Sequence, residues 1–274
     1  MRILSISALV ALEHIAEYRF LTADQLVRLG GSRTTVRSMS NLLKQLCERD
    51  RLIGQAHFGV HPKLGKFKTI HFLTHKGARL LESRNFQKPI KFPKSNITLF
   101  HRDYFHRLVC LDFEISFKQW IKQNGYECPM FERYFDPVDG LRSKTEITMS
   151  NEGTLIPDAV TLYKTGERNF CFLLEVSMGK DAKRVIEQLY IHIKALEDGS
   201  PSKTFNIPHG HFVACLFEHE SCMKSVMQHM QKDQRLHLSL KKHFLFACKL
   251  EQEATFRDLA WFLWDRQKQV FYGL

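Results

Sequence analysis

The sequence predicts an α+β or α/β chain in two parts, a small helical unit with a hairpin ahead of a larger layered α/β unit. Three observations predict it. Charge is divided unevenly: residues 1–95 hold 17 Lys/Arg against 6 Asp/Glu, the whole of the net +11, and the rest hold 23 of each. The apolar pattern reads helix, helix, helix, hairpin, helix in the first part, then alternates helical and strand-like in the second. Between them, residues 87–96 (QKPIKFPKSN) carry two prolines, three lysines and no period, the composition of a boundary. Residues 1–86 are therefore expected to form one domain, 87–98 a linker and 99–274 a second domain.

In the first domain, residues 5–18 place Ile6, Leu9, Val10 and Ile15 at helical spacing. Thr22, with Gln25 three residues on, makes a capping-box signal for a short second helix that Gly30-Gly31 ends. Ser32 or Thr34 can cap a third helix running through Val36, Met39, Leu42, Leu43 and Leu46. Strands over 54–60 and 67–74 flank the turn HPKLGK, and Thr74-His75-Lys76-Gly77 opens a last helix.

Three helices followed by a basic-tipped hairpin is the order of a winged helix-turn-helix, which sets its recognition helix in the major groove N-terminal end first. That places Ser32, Arg33, Thr34, Thr35 and Arg37, with Lys44 further along, near bases or phosphates. Lys63, Lys66 and Lys68 on the wing would contact the backbone. A basic domain of this kind attracts a polyanion, and double-stranded DNA is the expected partner. The competing reading is a winged helix used for protein contacts.

In the second domain, residues 101–122 have a long helical pattern that Gly125 closes. Strand-like pieces follow over 128–135 and 144–149. Next come two apolar runs around a polar turn, LIPDAVTLY and NFCFLLEVS, then an amphipathic helix over 180–196. A strand over 211–217, a helix over 221–231, a strand over 244–250 and an aromatic helix over 256–264 complete it. A two-residue loop at Gly166-Glu167 pairs Thr165 with Arg168 and, counting outward, Asp158 with Glu175. Two carboxylates then share a face among Val160, Leu162, Cys171 and Leu173. Like charges opposed on a sheet need a cation beside them, and Mg²⁺ is the obvious one.

The seven cysteines (47, 110, 128, 171, 215, 222, 248) are odd in number and form no CxxC pair. That predicts reduced thiols and a cytoplasmic protein. No run approaches the roughly 18 apolar residues of a membrane span.

A helix, then "PDA" on one strand and "FLLEV" on the next, then a basic helix with Gln and Tyr, resembles the PD-(D/E)XK nuclease core. The whole chain resembles more closely the replication-relaxation family of plasmids and integrating elements, which joins a winged helix to a nuclease-like domain. The resemblance implies that Asp158 and Glu175 hold Mg²⁺, with Glu114 (or Asp112) on the preceding helix as third acid. It departs at Ser177, where a nuclease usually has Lys. Lys180 or Lys183 would have to reach back, and Gln188 and Tyr190 would line the same cleft.

The implied function is that of a DNA-binding protein of a plasmid or integrating element, acting in replication, in mobilisation or transfer initiation, or in its control. Its nuclease-like domain is degenerate and serves DNA contact or dimerisation. A homodimer and replication or transfer proteins are the expected further partners. Whether the chain is an enzyme is left open by Ser177. One alternative is an active Mg²⁺-dependent endonuclease or nickase with Lys180 in the catalytic set. A further alternative is a winged-helix transcriptional regulator.

Overall fold

The computed structural model describes residues 4–30, 35–62, 65–91, 93, 103–138, 142–150, 153–207, 210–234, 236–248, 261–263, 265, 268 and 269. The chain divides into two compact units, Met1–Tyr104 and Phe105–Leu274.

In the N-terminal unit, α1 (Ile6–Tyr18) begins where the Ser5 hydroxyl accepts a hydrogen bond from the Ala8 amide, and it buries Ala8, Ala11, Leu12 and Ile15. α2 (Ala23–Arg28) has the complete capping box, with Gln25 N donating to Thr22 Oγ1 at 3.3 Å and Thr22 N to Gln25 Oε1 at 2.9 Å. Gly30, at φ +80°, follows it in the left-handed region that glycine tolerates. α3 (Val36–Lys44) is capped by Thr35 rather than by Ser32 or Thr34, because Thr35 Oγ1 accepts from Ser38 N while Ser38 Oγ returns a bond to Thr35 O. A π turn, Gln45–Arg49, continues it.

β1 (Ile53–Ala56) pairs antiparallel with β4 (Ile70–Leu73), and between them β2 (Val60–His61) pairs with β3 (Gly65–Lys66). α4 (His75–Glu82) starts at the Thr74 cap. Gly77 sits so close to the backbone just ahead of β1 that a Cβ there would lie 2.1 Å from the Leu52 carbonyl oxygen. In the stretch expected as a linker, Lys88 pairs with Glu17 at 2.7 Å and Lys91 N donates to Ala16 O at 2.8 Å, so this part lies against α1.

The C-terminal unit runs α5 (Tyr104–Gln123), β5 (Glu127–Arg133), β6 (Pro137–Val138), β7 (Arg142–Ser143), β8 (Ile147–Thr148), β9 (Thr154–Leu155), β10 (Ala159–Thr165) and β11 (Arg168–Ser177). It continues with α6 (Ala182–Asp198), α7 (Ser200–Phe205), β12 (Phe212–Phe217), α8 (Glu220–Lys232), α9 (Leu238–Lys241), β13 (Phe244–Cys248), β14 (Trp261–Phe262) and β15 (Lys268–Gln269). Seven strands form one mixed sheet in the order β15-β14-β13-β12-β11-β10-β5. β11, β12 and β13 are parallel and the remaining pairs antiparallel.

Strands buried on both faces read as continuous apolar runs, and CFLL in β11 and VACLF in β12 are such runs. One face packs on α5 through Phe113, Phe117 and Trp120 against Phe131 and Tyr163. The other packs on α6 and α8, where Leu189, Ile193, Val226 and Met230 meet Val213, Cys215 and Phe217. The result is a mixed α/β layered unit.

The expected aromatic helix over 256–264 is corrected in part. Trp261 and Phe262 form a strand, with Phe262 paired to Phe246 and Trp261 1% exposed edge-on against Phe113. Alternate faces, not helical spacing, separate the two rings. Residues 251–260 and 264 lie outside the described residues.

Candidate functional site: two carboxylates held by imidazoles

The site grows out of the β10–β11 hairpin. Gly166, at φ +58°, is the first of the two loop residues, the position a type II′ turn reserves for glycine. The register then follows from Thr165↔Arg168 to Ala159↔Leu174, which brings Asp158 across from Glu175 as the loop count requires. Asp158 is tied on both sides, its N–H donating to Leu174 O at 2.9 Å and its carbonyl accepting from Tyr134 N at 3.0 Å.

The two carboxylates take different partners. Asp158 Oδ2 accepts the Val176 N–H at 2.7 Å and His106 Nε2, from the first turn of α5, at 3.1 Å. Glu175 Oε1 meets His192 Nε2 of α6 at 2.7 Å and Gln188 Nε2 at 3.5 Å. The carboxylate side chains are each 16% exposed and His192 is fully buried. Burial pushes the Glu175 carboxyl above the ordinary glutamate range and the Asp158 charge pushes it the same way, while the His192 contact pulls it down.

His106 belongs to a longer line. Its Nδ1 lies 3.3 Å from Tyr134 Oη, just past the end of β5, and Arg107 Nε lies 3.4 Å from the same phenol oxygen. The Arg107 guanidinium also lies over the Phe135 ring, 5.3 Å from its centroid. A carboxylate only accepts, so His106 Nε2 donates to Asp158, and in the tautomer protonated at Nε2 alone Nδ1 accepts from the phenol. Phenol, imidazole and carboxylate thus form a connected relay with an arginine at its outer end.

The residues present fit a magnesium ion poorly. Mg²⁺ asks for an oxygen octahedron, whereas each acid here is engaged by an imidazole. Among the described residues, no three His, Cys, Asp or Glu side chains are grouped as metal ligands. Glu114 is fully buried beside Arg133, whose Nη1 lies 3.1 Å from Oε2, and Lys118, whose Nζ lies 2.8 Å from Oε1. These are ionic contacts misaligned for hydrogen bonds. Arg133 also holds Asp136 at 2.7 Å, so Glu114 is one corner of a buried charge cluster.

Ser177 ends β11 half-buried, near enough to the Cys222 thiol to draw its pKa down against the rise that burial causes. Lys180 and Lys183 are exposed at the head of α6, and no hydrogen bond or ion pair joins either to Asp158 or Glu175. Gln188 reaches the site, whereas Tyr190 turns to His229 and Asp233.

In the N-terminal unit, Thr35, Arg37, Lys44, Lys66 and Lys68 are all exposed. Thr35 is spent on its cap, Lys44 lies 4.0 Å from Glu48, and Lys68 pairs with Asp24 at 2.8 Å. Ser32, Arg33, Thr34 and Lys63 lie outside the described residues. Sequence reasoning misses His106, Arg107, Tyr134 and His192. The i, i+4 pair Gln188/His192 on one helix face and the His-Arg pair opening α5 are the signals that point to them.

A mixed α/β unit with an acidic hairpin, behind a basic helical unit, defines the class. The replication-relaxation family matches residues 12–190, and the chain belongs to that family. Membership ties it to the replication or relaxation of plasmids or other elements, a DNA-related function. No curated protein and no solved structure matches the chain. No helix among the described residues is long and apolar enough to cross a membrane.

Proposed function

We propose that the chain is a DNA-binding protein of a plasmid or integrating element that acts in replication, in mobilisation or transfer initiation, or in its control. Its N-terminal unit is read as a winged helix whose α3 enters the major groove. Its C-terminal unit is read as a PD-(D/E)XK-like scaffold that has lost the usual lysine and adds DNA contact or a dimer surface.

The observation that carries this reading is the confinement of the whole net charge to residues 1–95. Arg37 and Lys66 stand exposed on α3 and on the β2–β3 hairpin of that same unit. Exposed cations on one small unit neutralise phosphates and release counterions, and a helix whose first turn is exposed at Val36 and Arg37 can present side chains to base edges.

Selection of bound duplexes from fragmented element DNA, followed by titration of the winning fragment, tests it. Arg33→Ala/Arg37→Ala should weaken binding by about 1–3 kcal/mol for each base pair that is no longer read. Unchanged affinity and unchanged sequence preference would sink the assignment of α3.

A further inference from the structure

We infer that Tyr134 is a nucleophile toward a phosphodiester, with His106 as its base and Asp158 as the group that holds His106. The chemistry stands on the geometry of the site; only the choice of DNA as the natural substrate rests on the function proposed above. A nucleophile–base–orienter relay is recognised by each group lying within reach of the next. Here Tyr134 Oη to His106 Nδ1 is 3.3 Å and His106 Nε2 to Asp158 Oδ2 is 3.1 Å.

Each end of that line is fixed. Asp158 Oδ2 is pinned by the Val176 amide at 2.7 Å, and the Tyr134 amide donates to the Asp158 carbonyl at 3.0 Å. Nucleophile and orienter are therefore joined through the backbone as well as through the imidazole. His106 remains 21% exposed and Tyr134 half-buried, so the line is not sealed from solvent.

Arg107 supplies the positive charge that Ser177 cannot. Its Nε lies 3.4 Å from the phenol oxygen, where it stabilises a phenolate and the charge that develops on an attacked phosphate. In the step, Tyr134 Oη forms a bond to phosphorus and the bond from phosphorus to one deoxyribose oxygen breaks. The phenol proton passes to His106 Nδ1. The departing oxygen takes a proton from water, and the imidazolium returns its own to solvent. One phosphodiester is exchanged for another, so no oxidant or external energy source enters, and attack by the freed hydroxyl reseals the strand.

The full chain incubated with the chromogenic diester thymidine 5′-(4-nitrophenyl phosphate) tests this without knowledge of a DNA site. One equivalent of 4-nitrophenolate per protein should appear as a burst, with the thymidine phosphoryl group mapped by peptide mass to Tyr134. Supercoiled plasmid should give complexes that survive detergent. Tyr134→Phe should abolish both while keeping its melting curve and its retardation of duplex DNA. His106→Gln should slow the burst by on the order of 10²-fold or more, with the adduct still on Tyr134.

Duplex binding with no adduct from either probe, or an adduct that persists in Tyr134→Phe, overturns the inference and leaves the binding function intact. An adduct without duplex binding upholds the inference for phosphodiesters at large and removes the proposed function. Loss of both in the wild type overturns both.

Discussion

Replacing Arg133 by methionine removes the cation from a cluster that has almost no water. The Arg133 and Glu114 side chains are 0% exposed and Asp136 is 8% exposed, with ionic contacts of 3.1 and 2.7 Å. Breaking such a set from one side strands the remaining charges, at a cost of about 3–5 kcal/mol. Lys118, 2.8 Å from Glu114, still offsets part of that charge, so the lower figure is the expected one. For a unit of this size about 3 kcal/mol corresponds to a fall of roughly 6–12 °C in melting temperature.

All three tryptophans (120, 261, 264) lie in the C-terminal unit, so tryptophan fluorescence follows its unfolding without interference from the other. The triple change Glu114→Leu/Arg133→Met/Asp136→Leu should recover most of the loss, since removing the three buried charges together is often neutral and Lys118, 22% exposed, can turn to solvent. A shift under about 3 °C for Arg133→Met would refute the reasoning, because it would mean that Glu114 does not depend on Arg133.

The N-terminal unit offers two further predictions. Gly77→Ala forces a Cβ to within 2.1 Å of a backbone oxygen, so α4 must move off β1; a loss of about 2 kcal/mol or more, read by pulse proteolysis, is expected. His71 is buried with Nδ1 3.3 Å from Leu21 O, and burial pushes its imidazole down from 6.5 to about 4. The unfolded chain therefore binds a proton between those values while the folded one does not. Stability present above pH 6.5 should fall on the order of 2–3 kcal/mol by pH 4. His71→Gln should flatten that slope, and an unchanged slope would show that another group carries it.

Local signals in the sequence lead furthest where a turn or cap decides the outcome. The Thr22/Gln25 box and the Asp158–Glu175 register both follow from residues a few positions apart. The third helix begins later than its first possible cap because Ser32, Thr34 and Thr35 are all competent, and only the backbone geometry selects Thr35. Trp261 and Phe262 look helical in sequence because aromatic spacing near them fits both periods; pairing with β13 decides for strand.

The partners of the acids cannot be found locally. His106 is 52 residues from Asp158, and His192 is 17 from Glu175 across a strand-to-helix turn. The acids are legible; what holds them depends on how α5 and α6 pack on the sheet.

The central claim, that the basic N-terminal unit holds DNA through phosphates, is tested most directly by the salt dependence of duplex affinity for the full chain. A steep linear fall of log affinity with log salt is expected, and Lys63→Ala/Lys66→Ala should reduce the slope by about 2 with the preferred sequence unchanged. Affinity indifferent to salt, or a slope untouched by the double change, would contradict it.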